Sequence, residues 1–150
     1  MGNSPSVDNP FAGTICKLCM FVCVLSLLCI ANICLGDIPQ NLKGVRKILF
    51  LGDSITYAGG YVVELQAAIW TKPWGKEIEV TNLGLPSETV SGLSEDGHAG
   101  GAFPRPDLHE RLDRVLQAVK PDLVFASYGM NDGIYLPLNK DRFAKFRKGY

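Results

Sequence analysis

Beyond Cys34 the chain has no cysteine. All five, Cys16, Cys19, Cys23, Cys29 and Cys34, fall in the first 36 residues. A disulfide framework or a cysteine-bound zinc in the remainder therefore has no residues to work with. Net charge is absent as well: 15 Lys and Arg stand against 15 Asp and Glu. The first 36 residues hold one of each, Lys17 and Asp8, so the rest stays balanced. A balanced surface sets up no field that would gather nucleic acid, and none is expected as a partner. Histidine is scarce, with only His98 and His109, and neither follows an aspartate at Asp-x-x-His spacing. No repeat and no low-complexity tract is visible. Function must come from a local site.

Charge is missing altogether from residues 18–36. LCMFVCVLSLLCIANICL is an 18-residue apolar run, preceded by Lys17 and closed by small residues at Cys34 and Gly36. A basic flank, an apolar stretch and a small-residue end read as a secretory signal peptide cut before Asp37. The rival reading is an uncleaved membrane anchor over residues 18–35, for which about 18 residues is the lower limit. Either way the protein is exported or membrane-attached, and this segment is its only expected membrane contact. Residues 1–6, MGNSPS, also satisfy the short myristoylation pattern, which arises often by chance.

Residues 37–44 read as a linker broken by Pro39 and Gly44, and residues 45–150 as one domain. Apolar runs predict buried strands over 45–51 and 123–127, with a short strand over 78–82 between them. Helical spacing predicts helices over 61–70, 106–119 and 141–150. On the first, Tyr61, Leu65, Ala68 and Ile69 share a face; on the second, Leu108, Leu112, Val115, Leu116 and Val119 do. Residues 83–101 form a long Gly- and Ser-rich loop, of the kind that is functional or mobile. Strands alternating with helices imply an α/β domain with a parallel sheet and right-handed crossovers. Three strands leave an edge open, and the last helical pattern lacks a C-cap, so a domain truncated at its C-terminus is expected.

The break in KILFLGDSIT is where chemistry is sought. Ser54 follows an apolar strand and opens a helical pattern, at the strand end where open α/β sheets place their sites. Its backbone N–H and the helix dipole would stabilise an oxyanion formed on attack. The plain alternative is that Ser54 or Thr56 caps the helix. A phosphate loop is disfavoured by a single glycine and the lack of a Lys at the required spacing. The other strand ends carry Asn82-Leu83-Gly84 and Gly129-Met130-Asn131-Asp132. In a parallel sheet these ends converge with Ser54. A glycine N–H and an Asn amide beside a serine would complete an oxyanion hole, although each alone reads as a loop former. Asp53 is expected to fix the turn by accepting backbone hydrogen bonds.

FLGDSIT, NLGLPSETVSG and GMND, in this order and spacing, resemble the first three sequence blocks of the SGNH hydrolases, or GDSL esterases. The resemblance spans about residues 45–150. It implies a flavodoxin-like three-layer α/β/α sandwich with a parallel sheet. It implies Ser54 as nucleophile, with Gly84 and Asn131 as oxyanion donors, and an ester as substrate, such as an acetylated glycan, with no metal or organic cofactor. Family members carry their catalytic Asp-x-x-His in a last block. That block has no counterpart here and is expected beyond Tyr150, so the 150-residue chain alone is expected to be inactive or nearly so. His109 reads as a surface residue. His98 and Arg105, in or beside the long loop, are candidate substrate contacts, and Asp132 a supporting residue. The competing function is a non-catalytic carbohydrate-binding or interaction module on the same fold.

Overall fold

The computed structural model describes residues 37–150, and the apolar N-terminal segment lies outside the described residues. Residues Ile38–Tyr150 form one compact unit. Among the described residues no helix is long and apolar enough to cross a membrane.

Three strands form an all-parallel sheet: β1 (Lys47–Gly52), β2 (Glu79–Asn82) and β3 (Leu123–Ser127), in the order β2-β1-β3. Between and after them run α1 (Ser54–Ala58), α2 (Gly60–Trp70), α3 (Leu112–Val119) and α4 (Lys140–Gly149). β1 is central because its run of four apolar residues can be buried on both faces, as a middle parallel strand requires. Ile48 and Phe50 face one cluster with Val62 and Ile78, joined by Tyr61, Ile69 and Trp74. Leu49 and Leu51 face the other, with Val90 and Leu108, joined by Leu112, Val115, Leu116, Val119 and Phe146. Burying these four β1 side chains contributes at most about 6–12 kcal/mol. The Asp122 carboxylate pins the start of β1, accepting from the N–H groups of Arg46 and Lys47 at 2.8 and 2.9 Å. Those two bonds hold its carboxyl below the usual range.

Four expectations need correction. The helix expected over 61–70 is present as α2, but the stretch before it, read as a turn, is itself a short helix: α1 ends at Gly59, whose φ of 79° is the left-handed cap that stops a helix. On α2, Val62 is buried while Leu65 is exposed, so the face that packs is Tyr61, Val62 and Ile69. The helix expected from residue 106 is a 3-10 turn, Leu108–Glu110, followed by α3. Asp107 caps the turn, and Arg111 leaves helical geometry where its side chain reaches a buried carboxylate. β3 is not buried. Phe125 stacks on Phe50 with ring centroids 4.9 Å apart, yet remains 42% exposed, because β3 is an edge strand of the described sheet.

The first half of the long loop is anchored in the core, while Asp96, Gly97 and residues 99–101 are exposed. Glu88, Thr89 and Val90 are buried, and Thr89 bridges in parallel to Asp107. The Thr89 N–H donates to the Pro106 carbonyl at 2.9 Å, and the Leu108 N–H to the Thr89 carbonyl at 2.9 Å.

Candidate functional site

The C-terminal ends of the strands meet at one edge. Gly52 is in register with Ser127, and Phe50 with Asn82. Past β2 the chain stays beside β1: Leu83 N–H donates to the Phe50 carbonyl at 2.9 Å, and Leu85 N–H to the Gly52 carbonyl at 2.8 Å. Ser54, Gly84 and Asn131 therefore all follow strand ends on the same side of the sheet, where open α/β folds place ligands.

Ser54 is the first residue of α1, and it is not the cap. Asp53 is: its Oδ1 accepts the Ile55 N–H at 3.0 Å, and the residue is buried. Thr56 is buried too, its hydroxyl sharing a 2.9 Å hydrogen bond with the Tyr61 hydroxyl. With capping assigned to Asp53, the exposed Ser54 hydroxyl keeps no hydrogen-bond partner among the described residues.

Gly84 is held against the helix that carries Ser54. A Cβ there would sit 2.2 Å from the Tyr57 nitrogen and 2.7 Å from the Thr56 carbonyl carbon, so no other residue fits without moving backbone. Its N–H donates to Asn82 Oδ1 at 3.0 Å, while Asn82 Nδ2 donates to the Thr56 carbonyl at 2.7 Å. Asn82 thus ties the end of α1 to the turn that bears Gly84. The Gly84 N–H is engaged in this bond, so acting as an oxyanion donor would require exchanging it.

Asn131 is buried and oriented from both ends. Its Oδ1 accepts from Arg105 Nη1 at 3.1 Å and from the Tyr135 hydroxyl at 3.4 Å; its Nδ2 donates to the Glu88 carbonyl at 3.1 Å. Because Arg only donates, the Arg105 contact identifies which amide atom is the oxygen. An amide nitrogen has two hydrogens, and the second keeps no partner among the described residues. Asp132 supports the loop: its Oδ1 accepts the N–H groups of Val90 and Ser91 at 3.0 and 2.8 Å.

Arg105, a candidate substrate contact, is 4% exposed at its side chain and makes a two-pronged ion pair with Glu95, both contacts 2.6 Å. This pair holds the Glu95 carboxyl down at about 2. The guanidinium also lies over the Tyr135 ring, 5.5 Å from its centroid. Its partners are protein groups, so the structure gives it a role in orienting Asn131. His98 Nδ1 lies 3.4 Å from Glu95 Oε1, its ring meets Phe103 edge-on at 5.6 Å, and its Nε2 is buried without a partner. A continuous polar chain therefore runs from His98 through Glu95 and Arg105 to Asn131. His109 is exposed, although its Nε2 lies 3.2 Å from the Val90 carbonyl.

The residues that sequence reasoning missed are the positioning groups. Glu88 is fully buried, with Arg111 bonded to both its oxygens at 2.6 Å and the Tyr128 hydroxyl donating at 2.6 Å. Burial, then the bond to Glu88, pushes the Tyr128 hydroxyl well above its usual range; the same carboxylate raises Arg111. Glu95 was missed in the same way. Both pairs join residues 10 to 23 positions apart with no shared period, so no local pattern marks them. Ser87, at φ 68°, is a non-glycine in the left-handed region at this same turn, a strained conformation of the kind that clusters at functional sites. Among the described residues no group of three or more His, Cys, Asp or Glu is disposed to hold a metal. Comparison with protein families, with curated proteins and with solved structures finds no match.

Proposed function

We propose that this domain is a serine esterase of the SGNH type. The observation that carries the reading is an exposed, unpartnered Ser54 hydroxyl at the sheet edge that also bears Asn131. The Asn131 amide is fixed by Arg105 and the Glu88 carbonyl with one N–H to spare. In this reading Ser54 Oγ attacks the ester carbonyl and passes its proton to a base. The oxyanion is met by the Ser54 N–H and Asn131 Nδ2, with Gly84 joining once its bond to Asn82 is exchanged. Collapse of the intermediate releases the alcohol and leaves an acyl-serine, which water then hydrolyses. The substrate is a carboxylic ester, such as an acetylated glycan, met outside the cell or at its surface.

The parallel sheet with clusters on both faces of β1 supports a three-layer flavodoxin-like arrangement. His98 is taken up by Glu95 and His109 lies by the Val90 carbonyl. Neither ring is bonded to Ser54 among the described residues, so this reading takes its base from an Asp-x-x-His pair of the kind that the resembling family carries. The test is hydrolysis of p-nitrophenyl acetate by the protein as it is expressed from its own gene. Turnover abolished by Ser54→Ala is the expected result; turnover unchanged by it refutes the reading. Saturable glycan binding without turnover favours the non-catalytic module instead.

A further inference from the structure

The Glu88 carboxylate takes no part in the steps above, yet it is wholly buried. A glutamate is almost never buried in full unless its charge is paired. Its partners reach into both of the turns that carry the oxyanion donors. Arg111 is bonded to its two oxygens at 2.6 Å, and Arg111 Nη2 also donates to the Leu83 carbonyl at 2.8 Å, beside Gly84. The Tyr128 hydroxyl donates to Glu88 Oε2 at 2.6 Å from just past the end of β3, where the chain turns towards Asn131. The Glu88 backbone carbonyl itself accepts Asn131 Nδ2 at 3.1 Å.

The main chain at Glu88 is fixed as well. Its N–H closes a turn onto the Leu85 carbonyl at 3.2 Å, with Pro86 and Ser87 between. Ser87 has φ 68°, which fits a type II turn, whose third position needs positive φ and normally takes Gly or Asn. A serine there is strained, and strain of this kind persists only where the surrounding contacts over-determine the backbone. Leaving a buried carboxylate short of a donor is costly. Arg111 and Tyr128 are therefore both held to Glu88, and through it the Leu83–Gly84 stretch and the turn of Asn131 are held to each other. We infer that Glu88 is a positioning residue that couples the two oxyanion donors, Gly84 through Arg111 and Leu83, and Asn131 through Tyr128 and the Glu88 carbonyl. What the donors do rests on the esterase reading above; how they are held rests on the bond geometry alone.

The experiment uses the whole protein and Tyr128→Phe, which removes one hydroxyl and leaves the Arg111 ion pair in place. One readout needs no activity. In amide NMR, Tyr128→Phe should shift the Asn131 side-chain signals and speed their exchange with water at least about 5-fold. It should also shift the Gly84 amide, and Arg111→Lys, which keeps the charge and loses the two-pronged fork, should in turn shift the Asn131 side chain. The other readout is kcat for p-nitrophenyl acetate. Tyr128→Phe should lower it about 5- to 10-fold with KM within about 2-fold. In an Asn131→Ala background the same substitution should change kcat by less than about 2-fold, because a residue acting through Asn131 has nothing left to act on. Asn131 and Gly84 signals unmoved by Tyr128→Phe overturn the inference, as does an equal loss of kcat with and without Asn131. Turnover unchanged by Ser54→Ala removes the esterase reading instead, and the amide signals then still decide whether Glu88 couples the two turns.

Discussion

Replacing Arg105 by Met removes a side chain that joins two segments of the site. Lost are the two 2.6 Å bonds to Glu95, the 3.1 Å bond to Asn131 Oδ1 and the contact with the Tyr135 ring. Glu95 keeps partial access to water, with its side chain 28% exposed, so its share of the loss is moderated. Asn131 is 3% exposed and retains only the 3.4 Å contact from Tyr135 at its oxygen. Breaking a largely buried ion pair and stranding a buried carbonyl together cost about 3–5 kcal/mol. That is a large part of the roughly 5–15 kcal/mol that stabilises a domain of this size. At about 4 °C per kcal/mol the melting temperature should fall by roughly 12–20 °C. On the esterase reading proposed above, the freed amide should also rotate, lowering kcat by about 10- to 100-fold with KM nearly unchanged, since only a transition-state contact is lost. Thermal unfolding followed by circular dichroism reads the first effect and p-nitrophenyl acetate kinetics the second. A melting shift under 3 °C would refute the positioning argument, as would kcat unchanged in a variant that is folded at the assay temperature.

The Glu95 carboxyl, held down near 2 against an ordinary 4.5, contributes stability that is present above about pH 4.5 and lost as pH falls towards 2. With solvent screening the gain is about 1–2 kcal/mol, and the urea-midpoint gap between wild type and Glu95→Gln should close across that window. Gly84→Ala places a methyl 2.2 Å from the Tyr57 nitrogen. It should destabilise by about 3 kcal/mol or more in chemical denaturation, whereas a neutral result would mean that α1 does not lie against this turn. Asp53→Ala should cost about 1 kcal/mol through loss of the cap bond. Ser54→Ala, at an exposed residue with no partner, should leave the melting curve within about 0.5 kcal/mol of wild type. Lys120 closes α3 at φ 49°, so Lys120→Gly should raise the melting temperature by about 2–4 °C, and a fall would contradict the left-handed assignment.

Local rules decide much of this protein. The apolar run of Ile48 to Leu51 is satisfied by burial, so a buried strand of a parallel sheet follows from the sequence, while its central place is seen only in the structure. The spacing of Leu112, Val115, Leu116 and Val119 likewise specifies one face of α3, and Asp53 was legible as the residue that fixes the turn before Ser54. Ser54, Gly84 and Asn131 were legible as candidates because strand ends in a parallel sheet converge.

What only the tertiary structure decided is how those groups are held. Whether β3 is an inner or an outer strand depends on its neighbours, and its apolar sequence does not reveal that Phe125 lies half open. The anchoring of residues 83–107 rests on Glu88 with Arg111 and on Glu95 with Arg105. These ion pairs form only when distant segments are folded together, and charge carries no periodicity by which a sequence announces its partner. The same holds for Gly84, whose N–H is taken by Asn82 and whose missing side chain makes room for α1. A hydrophobic pattern fixes which face of an element is inside. The direction of a single amide such as Asn131 is set by contacts that exist only after the faces have met.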